Sequence, residues 1–317
     1  MAEDTRDALL RASKPPSKAL FSTLITANHI LHCRNVVDAF GHISVRNPQD
    51  PNTFFLSRNL APALVRSRSD IVEYRVEDSE PVDKDAPRGF AERFIHSEIY
   101  RKYKDVKSVI HAHNEAVLPF SIGSVPLKPV FHMAGAMGSQ VPVFDIQNHY
   151  KSSDPLHSLL VTNAHLGAGL AAGFNPSSTT QKLGGMIKNY ITSSTPEPVN
   201  SPPVSTVLMR GHGFTCVGTS IEEAVYRAIY TCANARVQTQ ALLMQGSHNV
   251  SLVAERFGAK EGDTSAARQE GIKYLSDRES KDSWTAIGQQ AARPWRLWVE
   301  EVRSNPLYVN EVDQVQA

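Results

Sequence analysis

The run Val106-Lys-Ser-Val-Ile-His-Ala-His-Asn114 constrains this chain more tightly than any other segment. Its β-branched residues read as a strand leading into His111 and His113. Side chains two apart on a strand share a face, so these two imidazoles can bite a single divalent ion, and the fold must then bring a third ligand to them. His212, between Gly211 and Gly213 in Arg-Gly-His-Gly-Phe, is the candidate, because glycines let the backbone come close. Three protein ligands leave one coordination position open, which is the pattern of a catalytic rather than a structural zinc site. Glu92, on a helix expected over Ala91 to Tyr103, is either the acid/base or a fourth, displaceable ligand. Taken singly, a His-x-His pair is often a packed feature and Gly-His-Gly a turn. The order and spacing of all four residues give them their meaning.

Glu92 stands nineteen residues before His111, and Gly-His-Gly opens a hairpin that feeds a long amphipathic helix. This arrangement resembles the class II aldolase/adducin family, whose best-known members are zinc-dependent sugar-phosphate aldolases and epimerases. Gly41-His-Ile-Ser-Val-Arg46, Gly138-Ser-Gln-Val-Pro142 and Arg210 to Val225 extend the resemblance over about residues 20 to 245. It implies a three-layer α/β/α domain around a mainly antiparallel sheet. It also implies a metal held by His111, His113 and His212, with Glu92 as the catalytic carboxylate. Family members are commonly fourfold tetramers with sites near subunit boundaries, so a homo-oligomer is expected.

Composition excludes several alternatives. At 317 residues, with 41% hydrophobic and 21% charged, the chain can bury a sizeable core of ordinary globular chemistry. A formal net charge of +1 gives no electrostatic reason for a nucleic-acid or anionic-membrane partner. No stretch reaches the roughly 18 apolar residues of a membrane span. The Met-Ala-Glu-Asp-Thr-Arg start lacks the form of a signal peptide. Cys33, Cys216 and Cys232 are few and lie in apolar contexts, which argues against a disulfide framework and for a reducing, cytoplasmic compartment. Cys216, four residues after His212, is either a soft ligand or a small core residue.

The chain divides into a flexible lead-in over 1–18, a catalytic domain over 19–250 with an insertion at about 175–205, and a helical extension over 251–317. Hydrophobic periodicity predicts a helix from Ala19 to His32, a hairpin of His42 to Arg46 with Thr53 to Leu56, and strands at Ile71 to Val76 and Val141 to Ile146. A short helix is expected over Glu115 to Ser121 and a longer one over His157 to Ala172. Strands are expected at Val207 to Arg210 and Phe214 to Val217. Ser220 and Glu223 form a capping-box pattern ahead of apolar residues at helical spacing. Trp284, Trp295 and Trp298 in the extension read as packing anchors.

Departures from the sugar-phosphate aldolases narrow the chemistry. Those enzymes place small hydroxyl residues before the catalytic glutamate to hold phosphate, where this chain has Phe90-Ala91. They carry Gly-Asn where it has Gly41-His42. Where they have a proton-donating tyrosine, the segment Pro129-Val-Phe-His-Met133 offers His132 as the titratable candidate. Ser57-Arg58 falls at another phosphate-contacting loop, and Arg58 is either a bidentate carboxylate clamp or a surface arginine. His42, Ser57 and Arg58 are thus the expected substrate-binding residues, and Glu92 with His132 the catalytic pair. A metal with an open position polarises a carbonyl and stabilises an enolate, which serves both aldol cleavage and decarboxylation. The sequence therefore points to a carbon-carbon lyase acting on a non-phosphorylated hydroxy- or keto-acid, decarboxylation ahead of retro-aldol cleavage. Zinc is the expected ion, with Mn2+ and Fe2+ as alternatives. Two rival classes share the features: a non-haem iron oxygenase, and an adducin-like interaction domain without metal.

Overall fold

The computed structural model describes residues 16–176, 200–258, 271–288 and 290–314. Most of the expected lead-in, and 177–199 of the expected insertion, lie outside the described residues.

Ser17 caps the first helix, α1 (Lys18–Cys33), its hydroxyl accepting from Leu20 N at 3.2 Å. The chain then turns into the expected hairpin, β1 (His42–Arg46) with β2 (Thr53–Ser57), and on to β3 (Ile71–Arg75). Helix α2 (Arg93–Lys102) follows, then β4 (Ser108–Ala112), the short α3 (Leu118–Ile122), β5 (Val143–Phe144) and α4 (Ala164–Gly173). β6 (Thr206–Met209) and β7 (Gly213–Gly218) form the second hairpin, which feeds the long α5 (Ile221–Gly258). Helices α6 (Asp277–Gly288), α7 (Ala292–Arg303) and α8 (Glu311–Gln314) complete the described chain.

The sheet has the order β3-β2-β1-β4-β7-β6-β5, antiparallel except for the β5–β6 pair. Alternation along each strand divides its side chains between two cores. Ile43, Val45, Phe55, Ile110, Phe214 and Cys216 face the layer of α1, α5 and α7. Phe54, Leu56, Val109, Val207 and Val217 face the layer of α2 and α4. This is the expected three-layer α/β/α architecture. β4 sits at its centre, between β1 and β7.

Several local expectations are corrected. Val141 to Ile146 yields only a two-residue strand, and residues 157–163 are not helical. Leu159 takes a positive φ of 66°, and Asn163 starts α4 by accepting from Leu166 N at 3.1 Å, so the helix begins at Ala164. Ser220 receives Glu223 N at 3.1 Å, but the Glu223 carboxylate turns to Thr219 and Arg227 rather than closing the box. The C-terminal helices pack back on the first core. Trp298 and Val302 are buried with the α1 residues, and Asn310 Nδ2 donates to Ser22 O and Thr26 Oγ1, each at 3.0 Å.

Candidate metal centre

Register assembles the site. His42 on β1, His111 on β4 and Thr215 on β7 lie side by side across three strands, on the face covered by α2 and α4. His113 follows His111 on the same face, just past the strand end. His212 arrives from the turn between β6 and β7, where Gly211 has φ 64° and Gly213 φ 156°. A Cβ at Gly213 would sit 2.1 Å from Ala112 O, so only glycine lets that turn close on β4 and bring His212 to His113.

The imidazoles converge through Nε2. His111 Nε2 is 3.0 Å from His113 Nε2, which is 3.1 Å from His212 Nε2. Glu92, at the N-terminal end of α2, brings Oε2 to 3.6 Å from His111 Nε2 and 3.4 Å from His212 Nε2. Its other oxygen, Oε1, accepts from Val161 N at 2.9 Å. Ligand atoms of all four residues lie within 4.8 Å of one another.

The surroundings suit a cation. His111 Nδ1 is 3.2 Å from the Phe214 carbonyl, so it carries the proton, and Nε2 presents a lone pair. His113 Nδ1 faces Asp38 Oδ1 at 3.5 Å in the same way. Two lone pairs directed at each other 3.0 Å apart repel unless a cation lies between them. Two nitrogens each about 2.0–2.1 Å from a tetrahedral ion are about 3.3 Å apart, close to the separations seen here. Burial holds His111 well below its ordinary pKa, with His212, His42 and His113 adding to the effect, and burial and His212 lower His113. Both are neutral ligands at neutral pH. The residues fit a divalent ion.

The remaining expected residues divide. His42 is buried beside His111, ring centroids 5.2 Å apart, and packs on Phe90 at 4.5 Å. Ser57 does not face the site: strand alternation puts it with Phe55 and Ile71, toward α1. Arg58 follows the end of β2, and its Nε donates to Asp70 Oδ1 at 2.8 Å. His132 does not join Glu92 within the chain. It is an exposed residue opening the 3-10 turn His132–Met137, which packs on α5 and α6 in the opposite layer. Cys216 pairs with Ile110 and points away from His111, so it is a core residue and not a ligand.

Sequence reasoning missed Asp38, Val161 and His96. Asp38 Oδ1 accepts from Phe40 N at 2.9 Å and Gly41 N at 3.1 Å. An Asp-x-x-Gly turn is legible in sequence, but its contact with His113 is not.

Three imidazoles and a carboxylate around an open position, on the face of a sheet, are the equipment of a metal-dependent lyase. The chain belongs to the class II aldolase and adducin family: the family described as Class II Aldolase and Adducin N-terminal domain matches residues 22–239. It is similar to a protein named Decarboxylase tropJ from Talaromyces stipitatus, 43% identical over 295 residues, covering 93% of this chain and 98% of that one. A 3,4-dihydroxyphthalate decarboxylase from a Terrabacter species is 27% identical over 183 residues, 57% of this chain and 61% of that one. An aldolase II superfamily protein from Pseudomonas syringae shares the fold with a TM-score of 0.61 at 18% identity, covering 93% of this chain and 96% of that one. The protein is thus an enzyme, a lyase of the metal-dependent decarboxylase kind.

Proposed function

We propose that this enzyme decarboxylates a non-phosphorylated hydroxy- or keto-acid, a hydroxylated aromatic acid first among them, with zinc as its ion. The observation that carries this reading is Glu92. One oxygen is anchored on Val161 N, and the other is free beside the three convergent imidazoles. The decarboxylases among the relatives support the reaction, and the 3,4-dihydroxyphthalate named for one of them supports the substrate class.

His111, His113 and His212 would hold the ion. When bound, it supplies Lewis acidity to a substrate oxygen as negative charge develops there. Protonated Glu92 delivers its proton to the carbon that loses carbon dioxide. The carbon-carbon electron pair stays on that carbon and becomes its new C–H bond, and Glu92 regains a solvent proton, so each turnover takes up one proton and releases one carbon dioxide. Phe90, buried against His42, offers an aromatic wall and no hydroxyl for a phosphate. Arg58, anchored to Asp70 through Nε, has its outer nitrogens for a substrate carboxylate.

A homo-oligomer, as a tetramer, is the assembly that family practice supports, and the few, apolar-set cysteines support a reducing, cytoplasmic compartment. No helix among the described residues is long and apolar enough to cross a membrane. The deciding experiment is anaerobic incubation of the zinc-loaded enzyme with 3,4-dihydroxyphthalate and related hydroxy acids, measuring released carbon dioxide. Release without dioxygen is expected. A strict need for dioxygen, or no release of carbon dioxide from any acid tried, would overturn the proposal.

A further inference from the structure

His42 heads a buried chain of hydrogen bonds that the reaction as described does not use. Its Nδ1 lies 2.7 Å from His96 Nε2. His96 Nδ1 lies 2.6 Å from Ser44 Oγ, which in turn is 2.8 Å from the Tyr100 hydroxyl. All four side chains are at most 1% exposed. No described residue hydrogen-bonds the other ring nitrogen, Nε2 of His42, although that ring sits against His111 and Phe90. That nitrogen is therefore the end of the chain from which a proton can be offered beyond it, on the side of His111 and Phe90.

The chain has a direction. Each member carries one transferable proton, and the chain is unbroken only when all four donate the same way or all reverse. In the reversed order Tyr100 would have to donate to the Lys107 carbonyl, 3.5 Å away and at the long limit of a hydrogen bond. In the forward order Tyr100 donates to Ser44, Ser44 to His96 Nδ1, and His96 Nε2–H to His42 Nδ1. His42 then carries its proton on Nε2. Burial pushes His96 down to about 3, so it stays neutral and offers His42 Nδ1 a proton rather than a charge.

Building on the lyase reading, we propose that His42 Nε2–H donates to an anionic oxygen of the substrate, and that Tyr100, Ser44 and His96 fix that proton in place. His42 is then a substrate-binding group beside the metal. Ser44 and His96 are positioning residues that act through it. A neutral donor here adds no second positive charge next to the ion. It also discriminates, because only a ligand with an acceptor oxygen at this point completes the chain.

The test combines a tautomer measurement with a kinetic cycle. Nitrogen-15 spectra of histidine-labelled, zinc-loaded enzyme should show pyrrole-type Nε2 and pyridine-type Nδ1 on both His42 and His96. Ser44→Ala should turn this into a mixture of tautomers at unchanged zinc content, with a lowered melting temperature from the two buried partners it strands. Adding 3,4-dihydroxybenzoate should shift the His42 Nε2 signal. In turnover, Ser44→Ala should lower kcat/KM by about 10-fold, the scale of one hydrogen bond, and should cost nothing further in a His42→Leu background. Protons on Nδ1, a ligand that leaves Nε2 unmoved, or additive effects of the two substitutions would overturn the relay. The spectra need no turnover, so an enzyme with the expected tautomers that releases no carbon dioxide would instead overturn the lyase reading.

Discussion

Glu92 accepts the backbone N–H of Val161 on one carboxylate oxygen at 2.9 Å, and this contact turns its second oxygen toward His111 and His212. The segment that supplies Val161 is the one expected to be helical. As extended chain it offers a free N–H, which a helix interior would have spent on its own carbonyls.

Glu92→Gln keeps an acceptor for Val161 N but cannot exchange a proton at neutral pH. The fold and most of the metal should remain, while kcat falls at least about 100-fold, the scale of a lost acid/base. Metal analysis beside steady-state kinetics checks this. Near wild-type turnover would reduce Glu92 to a structural role.

Replacing His111 and His113 together by alanine should abolish metal binding, because His212 and Glu92 alone cannot complete a site. In the wild-type enzyme, removal of the ion by a chelator should lower the melting temperature. A ligand at 100 times its Kd stabilises by about 2.7 kcal/mol, and that contribution disappears with it. Full metal content in the double variant, measured by elemental analysis after dialysis, would contradict the assignment.

The parts of the fold that depend on local pattern were legible. The β1–β2 hairpin, β4 and its two histidines, and the glycines around His212 all follow from period-two alternation and turn chemistry. What stayed hidden depends on partners distant in sequence. Ser57 and Arg58 are adjacent, yet one residue of register sends Ser57 to the wrong face. His132 follows an apolar segment that packs behind the sheet, which no local signal reveals. His96 reads as one more residue of an amphipathic helix until β1 brings His42 and Ser44 under it.

Acid should destabilise this protein through its buried neutral histidines. Burial pushes His29 down to about 4 and His96 down to about 3, whereas both titrate near 6.5 in the unfolded chain. Below about pH 6.5 the unfolded chain binds protons that the folded one refuses. The stability they contribute is therefore whole above 6.5 and is lost as pH falls toward the folded values, by about 1.4 kcal/mol per pH unit for each fully titrating histidine. His29 Nε2 is 2.7 Å from the Val65 carbonyl, a contact glutamine can keep. Urea unfolding of His29→Gln between pH 4.5 and 6.5 should show a slope shallower by about one histidine. An unchanged slope would mean that His29 is charged in the folded state.

Substrate choice should turn on Arg58. Asp70 holds Arg58 Nε through Oδ1 at 2.8 Å, and its own Oδ2 is fixed by Arg66 N at 2.9 Å and Ser67 N at 3.0 Å. The guanidinium is thus pre-oriented from behind, with its outer edge left for a carboxylate. Arg58→Met should raise KM for a hydroxy-acid substrate by about 10- to 100-fold, the scale of a hydrogen bond to a charged group, with a smaller change in kcat. Stability should move by no more than about 1 kcal/mol, because the Arg58–Asp70 pair is partly solvated. Arg58→Lys should rescue only in part, since an ammonium cannot reproduce the planar fork. Sugar phosphates should be poor substrates of every variant, because Phe90 and Ala91 give a buried phosphate no hydroxyl to pair with. A paired kinetic comparison of fuculose phosphate with a carboxylated substrate decides the matter. Efficient cleavage of the phosphate, indifferent to the Arg58 change, would return this enzyme to the ordinary sugar-phosphate aldolases.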